Sequence, residues 1–598
     1  MKKYSIYLIA TFLCLAGLVV EFRLWRADFH VPFYYETGND VDENLRIIQQ
    51  LRETGSILTN PRLGAPGIQE THDYLQGDNL ELFFLVGAIA AITPDFGSTI
   101  NVYTLLSILL TTWVSLYALR RLGLSDPVAL VLSLLYAFQP YAIARGQRHL
   151  ALSCICCVPL VFLAVVWLCE GLPVFVATDE RGRLRPRLIR GRTRPALVAA
   201  LLAGSSGAYY ALFATGCAAV AGLIVLLRTR RPTRLVDPMI LAGLICFVFA
   251  LNLSPKIWHD LSHGKNQAAV VREADDSLTY GLSLSGLIRP VPYNGLKSLA
   301  LAVLGRHQDT ATPTEYYKDF TPDGRVQSIG LMATSGFFFL LLVLFTPRRP
   351  RGPFRLAWNL SRLNLALFLV GTIGGFGYTF AKVVTPNIRG WNRVSIFIAF
   401  LALTAVGLVL DHLQRSRVRT QRGRILFGVA LAGILLLGLI DQMPQAMIPA
   451  YQEAKASFNR DRAFTRAIES ALPESAMIFQ LPCVEHNAWT HFNWVTYLHF
   501  KPYLHSSRLR WSAGAIKGRG VYEWQERVAS EPIPQMIEDL KKASFQGIYI
   551  DRRGYLESAD KPIIEELKKV LKVEPISDDR GERLFFALPA PVPSSLRP

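Results

Sequence analysis

The chain has 598 residues, of which 51% are hydrophobic, and a mean hydropathy of +0.26, which is too apolar for an ordinary soluble protein. Its 64 Lys and Arg outnumber its 46 Asp and Glu and give a net charge of +18. The basic residues stand in short clusters between long apolar runs. That distribution is typical of cytoplasmic loops and argues against nucleic-acid binding, so we expect the bilayer to be the main solvent.

The first apolar run, from Tyr4 to Val20, follows Lys2 and Lys3. Because no small-residue cleavage pattern comes after it, it predicts a transmembrane helix rather than a signal peptide. Further apolar runs are long enough to span a bilayer. They lie near residues 99–119, 127–143, 150–169, 196–210, 212–228, 236–252, 328–346, 363–381, 394–411 and 425–443.

The basic clusters indicate the orientation, because Lys and Arg favour cytoplasmic loops. With eleven spans and a cytoplasmic amino terminus, every cluster from Arg120 to Arg424 falls inside. The segments that then fall outside are 21–98, 253–327, 382–393 and 444–598. The run from Leu80 to Thr93 would reverse every later loop if it spanned, so we predict a helix that lies on the outer surface.

After residue 445 the pattern changes to alternating helix-like and strand-like stretches, which predicts a small α/β domain over residues 446–588. The predicted helices are Arg462–Ala471, Ile533–Ala543 and Lys561–Leu571, and the predicted strands are Met477–Leu481, Gly547–Asp551 and Leu584–Leu588. The Pro- and Ser-rich tail 589–598 is predicted to be disordered. The predicted fold class is a membrane all-α protein of about eleven transmembrane helices with a small C-terminal periplasmic α/β domain, in the cell inner membrane.

The cysteines give no metal site. Seven of the eight lie in apolar runs, where a thiol behaves as a small hydrophobe, and the eighth is Cys483. The cluster at residues 154–157 lacks the paired spacing of a zinc site. His259 and His263 share a helical face, as a metal pair needs, but without a third ligand a solvated helix is the favoured interpretation.

Three carboxylates, Asp40, Asp42 and Glu43, stand at the start of an amphipathic stretch. The apolar residues that share its face are Val41, Leu45, Ile48 and Leu51. One interpretation is a helix start whose cap is Asn39 or Asp40 and whose acids complement the helix dipole. The other is a general base, Asp40 or Asp42, because an acceptor hydroxyl that attacks a glycosyl carbon must lose its proton to a positioned carboxylate.

Two further clusters could bind a ligand. His72, Asp73 and Asp78 precede the predicted surface helix, and they form either a solvated turn or a group that supports acceptor binding. Arg389 and Arg393 stand in a short outer loop against the positive-inside bias. A guanidinium can bond two phosphate oxygens at once, although both residues could instead anchor helix ends by snorkelling.

In these features the chain resembles the GT-C class of polytopic glycosyltransferases, which includes polyprenyl-phosphate-dependent mannosyl, arabinosyl and oligosaccharyl transferases. The shared features are an acidic motif after the first span, an outer loop that ends in a surface helix, and many spans followed by an outward domain. The likeness covers about residues 1–445. The stretches around Asn60–Pro66, Asp78–Asn79 and Pro386–Arg393 also look like bacterial membrane proteins grouped with the YfhO family.

The resemblance implies that a loop Asp acts as the base or binds the acceptor, with Asp40 as the best positional match and Asp42 as the second. Some members of the class also hold a divalent metal with acids from two outer loops. This chain offers Asp73 and Asp78 but has no second-loop Asp-Asp motif, so the metal, and with it any cofactor, stays open.

The predicted function is an integral membrane glycosyltransferase that moves a sugar from a polyprenyl-phosphate carrier to a glycan, lipid or protein acceptor outside. The expected partners are therefore membrane lipids, the lipid-linked sugar and the acceptor, and no nucleic acid. Asp40 or Asp42 would be catalytic and Arg389, Arg393 and Arg145 would bind the donor phosphate. The predicted acceptor or supporting residues are Glu43, Asp73, Asp78 and His72. The alternatives are a transporter or flippase of lipid-linked glycans and a non-enzymatic envelope assembly protein.

This prediction requires that the acidic and the basic candidate residues lie close together in the folded chain. The acids of residues 40–43 and the guanidinium groups of Arg389 and Arg393 have to line one pocket at the outer leaflet.

Overall fold

The computed structural model describes most of the chain. The described residues are 4–35, 40–75, 77–178, 183–187, 189–269, 271–289, 291, 327–346, 354–443, 447–486, 495–556 and 558–589. The proposed cap Asn39 and nearly all of the predicted tail, from residue 590 onward, lie outside them.

Helices make up almost all of the described structure before residue 444. In chain order they are α1 (Ser5–Glu21), α2 (Asp40–Thr54), α3 (Asn79–Ile92), α4 (Phe96–Arg121), α5 (Asp126–Ala137), α6 (Pro140–Arg145), α7 (Leu150–Ser153), α8 (Cys157–Cys169), α9 (Thr193–Ser205), α10 (Ala208–Thr229), α11 (Val236–His263), α12 (Asp276–Thr279), α13 (Leu284–Ile288), α14 (Gly330–Leu344), α15 (Arg355–Gly371), α16 (Phe376–Val383), α17 (Ser395–Arg417) and α18 (Gln421–Gln442). Two short antiparallel strand pairs lie in the connections between helices. They are β1 (Thr59–Asn60) with β2 (Gln69–Glu70), and β3 (Val176–Thr178) with β4 (Leu184–Pro186).

In the described part of the chain, six helical stretches are long and apolar enough to cross a membrane. They are Phe96–Arg121, Asp126–Arg145, Ala208–Thr229, Pro232–His263, Trp391–Arg417 and Gln421–Gln442. Shorter apolar helices are Ser5–Glu21, Asn79–Ile92, Cys157–Cys169 and Gly330–Leu344. The chain is therefore a multi-pass membrane protein, and the count of eleven spans and their orientation stay predictions.

Breaks interrupt several of the predicted spans. Pro140 begins α6 and cannot continue the backbone ladder of α5, so the run 127–143 is two helices. The run 363–381 is broken between α15 and α16, where Gly374 has a φ of +72°. Gly207, at a φ of +87°, separates α9 from α10, so the runs 196–210 and 212–228 are two helices whose boundary lies near residue 207.

Helix α2 has the amphipathic form that its sequence predicts. Val41, Leu45 and Ile48 are fully buried and Leu51 is 8% exposed, while the acidic residues occupy the first turn. The apolar side faces α3 and α4. Burial of this face holds the first turn of α2, and with it Asp40, against the membrane part of the chain.

The C-terminal part contains a five-stranded sheet with helices around it. Its strands are β5 (Met477–Leu481), β6 (Arg510–Trp511), β7 (Phe545–Asp551), β8 (Ile576–Ser577) and β9 (Arg583–Ala587), in the order β6-β5-β7-β9-β8. Strand β5 is parallel to β6 and β7, and β9 is antiparallel to β7 and β8. The helices are α19 (Tyr451–Ser470), α20 (Val495–Leu498), α21 (Lys501–His505), α22 (Gly520–Ala529), α23 (Ile533–Lys542) and α24 (Asp560–Leu571).

A buried ionic network ties this sheet to the segment before α2. Asp461 accepts a hydrogen bond from the Tyr35 hydroxyl at 2.7 Å and another from Arg583. The Lys501 Nζ lies 3.6 Å from the same carboxylate, and Arg583 also donates to Asp578 at 2.7 Å. Burial alone would raise the pKa of Asp461, but the charges of Lys501 and Arg583 outweigh it and lower the pKa to about 2.

Replacing Asp461 by Asn should lower the stability of the folded chain by about 3 kcal/mol, because Arg583 and Lys501 stay buried beside a neutral amide. Thermal unfolding of the detergent-solubilised protein measures the change. In the unfolded chain the carboxyl pKa is about 3.9, above the folded value. The contribution of Asp461 to wild-type stability is thus complete above about pH 4 and is lost as the pH falls towards 2, and the variant should lack that loss.

The control is Asp539→Asn, which removes an exposed ion pair with Lys542 and should leave the unfolding midpoint unchanged. Equal unfolding midpoints for Asp461→Asn and the wild type would show that the network does not stabilise the contact between the C-terminal sheet and the segment before α2.

Candidate functional site

A cavity of about 200 Å³ opens where α2 meets the loops before α7, α12 and α17 and two segments of the C-terminal part. Its charged and polar lining comprises Asp40, Glu43, Asn44, Arg46, Asp78, Asn79, Arg148, His149, Arg272, Arg389, Arg393 and His486, and its aromatic lining comprises Tyr74, Tyr209 and Tyr497. The expected convergence is therefore seen, because Asp40 and Glu43 share one pocket with Arg389 and Arg393. The chemical roles assigned to these residues stay predictions.

The first turn of α2 is held against the loop before α7. The Asn44 amide donates to the carbonyl oxygens of Gln147 and Arg148 at 2.9 and 2.7 Å. The His149 Nε2 lies 3.4 Å from the Asp40 Oδ2. These contacts fix the position of Asp40 at the pocket wall and give its carboxylate a neighbour that can orient it.

Glu43 is committed to a buried ion pair. Its two oxygens accept from the Nη2 and Nε of Arg46 at 2.5 and 2.8 Å. Arg46 is 1% exposed, and it also donates to Gln50 and to Gln69, the latter at 3.0 Å. Burial alone would raise the pKa of Glu43, but the Arg46 charge holds that pKa below its ordinary value. Glu43 is thus better suited to anchoring the pocket wall than to taking up a proton.

Asp78 precedes α3 and completes the acidic side of the pocket. Its removal from water raises the pKa of its carboxyl to about 6. This carboxyl therefore changes charge close to neutral pH.

Beyond Arg46 and Arg148, the pocket is lined by three more guanidinium groups, which lie near one another. Arg393 lies over the ring of Tyr209 at 4.0 Å, and Arg389 lies over the ring of Tyr280 at 4.7 Å. Arg272 donates to the carbonyl oxygen of Asn387 at 2.6 Å. Burial, together with the positive charges of Arg389 and Arg393, lowers the pKa of Arg272. Such a concentration of cations is favourable for binding an anion.

Tyr209, at the start of α10, positions the loop that carries two of these arginines. Its hydroxyl accepts hydrogen bonds from the backbone N–H groups of Gly390, at 3.1 Å, and Arg389, at 3.4 Å. One phenol therefore supports the Arg393 guanidinium with its ring and holds the preceding backbone with its oxygen.

Four of the predicted site residues do not line this pocket. Asp42, in the first turn of α2, is fully buried. The guanidinium of Arg145 packs over the ring of Tyr141 at 5.4 Å. Asp73 accepts from Arg519 at 2.8 and 2.9 Å. His72 stacks on His259 with ring centroids 4.5 Å apart, and His259 stacks on His263 at the same distance. His259 and His263 therefore share a helical face, as their spacing predicts, and their rings stack on each other.

The pocket also contains residues that the sequence analysis did not assign to it. Arg272 is basic and lies in a predicted outer loop, so the positive-inside bias could have singled it out as it did Arg389. His486 and Tyr497 belong to the C-terminal part, and no sequence signal links them to residues more than 400 positions earlier. Among the described residues, no group of three or more His, Cys, Asp or Glu is arranged to hold a metal ion.

No family model matches the chain, and no curated protein matches it by sequence. Among solved structures it is similar to ArnT from Cupriavidus metallidurans bound to undecaprenyl phosphate, at 12% identity and a TM-score of 0.49 over 100% of both chains. It is similar to the oligosaccharyltransferase AglB from Archaeoglobus fulgidus, in complex with an inhibitory peptide and a dolichol-phosphate. That match has 12% identity and a TM-score of 0.41 over 92% of this chain and 69% of that one.

A third similar structure is the arabinofuranosyltransferase AftD from Mycobacteria, at 12% identity and a TM-score of 0.48 over 92% of this chain and 37% of that one. Because every TM-score is below 0.5, the likeness is one of overall form and assigns no role to any residue. The resemblance to the GT-C class and the narrower likeness to the YfhO family stay predictions.

Proposed function

We propose that the chain is an integral membrane glycosyltransferase that moves a sugar from a polyprenyl-phosphate donor to an acceptor at the outer face of the inner membrane. The observation that carries the proposal is that acidic and basic side chains from distant segments line one cavity; we refer to the two groups as its acidic and its basic wall. Asp40 lies on the acidic wall, and Arg272, Arg389 and Arg393 lie on the basic one. Transfer from a lipid phosphate needs these two chemistries side by side.

The basic wall suits the phosphate of the donor. A guanidinium presents its N–H groups in a rigid fork that matches two phosphate oxygens, and an ammonium group lacks this geometry. The ring of Tyr209 beneath Arg393 and the carbonyl of Asn387 beside Arg272 hold these side chains in place before a ligand arrives. Preorganised cations of this kind stabilise negative charge as it develops on a leaving group.

The acidic wall suits the acceptor. In the proposed step an acceptor hydroxyl attacks the anomeric carbon of the donor sugar and gives its proton to Asp40. The bond between the anomeric carbon and the phosphate oxygen breaks as the new glycosidic bond forms. The polyprenyl phosphate leaves with the electron pair of the broken bond, and the arginines bind its added negative charge. His149, 3.4 Å from Asp40, would orient the carboxylate.

The outward orientation of the pocket rests on the charge pattern of the loops. Placing the basic clusters from Arg120 to Arg424 in the cytoplasm puts the loops that bear Asp40, Arg272 and Arg389 on the outer side. The C-terminal part lines the same pocket through His486, and we place it on that side as well.

Replacing Asp40 by Asn should reduce sugar transfer about 10² to 10⁴-fold, because the hydroxyl then lacks its proton acceptor. Transfer from radiolabelled polyprenyl-phosphate sugars in membranes that contain equal amounts of folded protein measures the effect. Asp42→Asn is the matched comparison, since Asp42 is two residues away and does not line the pocket, and it should keep most of the activity. The reverse order of the two activities would show that Asp42 is the base.

Replacing Arg393 or Arg272 by Lys should weaken the binding of undecaprenyl phosphate about tenfold, because the charge remains but the two-oxygen contact is lost. Titration of the purified protein in detergent measures the dissociation constant. Arg145→Lys is the matched control, since its guanidinium packs over Tyr141 away from the pocket, and it should bind as the wild type does. Equal affinities in all three variants would rule out a phosphate site on this wall.

A further inference from the structure

His486 brings a side chain of the C-terminal part into the pocket. It follows β5 and its side chain is 4% exposed. Its backbone N–H donates to the carbonyl of Ala515 at 3.3 Å, and its carbonyl accepts from the Tyr74 hydroxyl at 3.0 Å. The ring meets the ring of Tyr74 edge-on at 4.8 Å and that of Phe500 at 5.9 Å. The imidazole is therefore held in one position at the pocket wall.

The hydrogen-bonding capacity of this imidazole is not used up. Its Nε2 lies 3.8 Å from the Glu43 Oε1, beyond a hydrogen bond, and its Nδ1 has no hydrogen-bond partner among the described residues. Burial, assisted by the charge of Arg46, lowers the pKa of His486 to about 4, so the ring is neutral at pH 7. A buried polar nitrogen without a partner is costly, and a ligand hydroxyl that reached Nδ1 would remove that cost.

The neighbours of His486 indicate what kind of ligand this is. Tyr74 and Tyr497 give the wall two aromatic rings, against which the apolar face of a sugar ring can pack. The carboxylate of Asp40 is a hydrogen-bond acceptor for hydroxyl groups and, when ionised, repels anionic groups. The three arginines proposed to bind a phosphate form another group of the same lining. This wall is suited to a neutral molecule with several hydroxyl groups.

We propose that Tyr74, Tyr497 and His486 form the acceptor subsite, that the acceptor is a neutral glycan, and that the Nδ1 of His486 bonds one of its hydroxyl groups. The inference rests on the proposed function, because it places the acceptor of that reaction. It narrows the acceptor from glycan, lipid or protein to a carbohydrate. It also makes the C-terminal part of the chain an element that determines acceptor specificity.

Binding of neutral sugars to the full-length protein in detergent tests the subsite without any need for transfer. Saturation-transfer difference NMR with a panel of methyl glycosides (mannoside, glucoside, galactoside and arabinofuranoside) should give a signal for at least one of them. His486→Gln should weaken that binding about tenfold. His486→Asn, whose amide nitrogen takes the place of Nδ1, should bind within about threefold of the wild type.

His499→Asn is the matched control. His499 is a buried histidine of the same part of the chain, its pKa is also lowered to about 4 by burial, and its Nε2 likewise has no hydrogen-bond partner among the described residues. It packs near Tyr549 and does not line the pocket, so its variant should bind the sugars as the wild type does. Equal thermal unfolding midpoints would show that each variant is folded.

The outcomes separate this inference from the proposed function. In transfer assays His486→Gln should raise the KM for the acceptor glycoside about tenfold, with kcat and the donor KM within about threefold of the wild type. The inference is overturned if no glycoside binds the wild type, or if His486→Gln and His499→Asn bind equally. If glycosides bind through His486 but no sugar leaves a polyprenyl-phosphate donor, the subsite stands and the glycosyltransferase proposal fails.

Discussion

The geometry of the pocket depends on one buried guanidinium group. Arg46 bonds both oxygens of Glu43, reaches Gln50 and Gln69, and lies over the ring of Phe500 at 5.6 Å. Gln69 in turn donates to the carbonyl of Gly514 in the C-terminal part. A buried charge is stable only when its surroundings satisfy it, so α2, β2 and the C-terminal part must take up one relative arrangement. That arrangement brings His486 to the same pocket as Asp40.

The two signs of charge in the pocket come from segments that are far apart in the chain. The acids belong to the first outer loop, whereas Arg272, Arg389 and Arg393 follow more than 190 residues later. Tertiary folding brings them to one cavity, where Glu43 is paired with Arg46 and the Arg389 Nη1 lies 3.6 Å from the Asp276 Oδ2.

The sequence predicts those parts of the structure that depend on local periodicity. The buried face of α2 follows the predicted apolar pattern. The ends of the strands β5, β7 and β9 lie within two residues of the predicted ends. Strands β6 and β8 are two residues long, and such a segment carries no periodic signal. Helix α19 begins at Tyr451, eleven residues before the predicted start, since its polar first turns lack the apolar pattern used to find it.

The sequence predicted residues of the candidate site only where charged side chains stand out from their surroundings. Arg389 and Arg393 could be found because basic residues are unusual in an outer loop, and Asp40 because acids cluster at a helix start. Which of Asp40 and Asp42 faces the cavity depends on the rotation of α2, and this is set by tertiary packing of its apolar face. Arg145 is also basic, but it is the last residue of α6 and packs over the ring of Tyr141, which the sequence does not indicate. His486 gives no signal because its neighbours are assembled from distant segments.

The position of Tyr209 has a consequence for the lipid. It is the second residue of α10, a helix long enough to cross a bilayer, and it holds both the backbone before Arg393 and the guanidinium itself. The height of the cationic wall above the hydrocarbon core is therefore set by the end of that helix. On the proposed function, the end of this helix is where the phosphate of a membrane-anchored donor would meet the arginines.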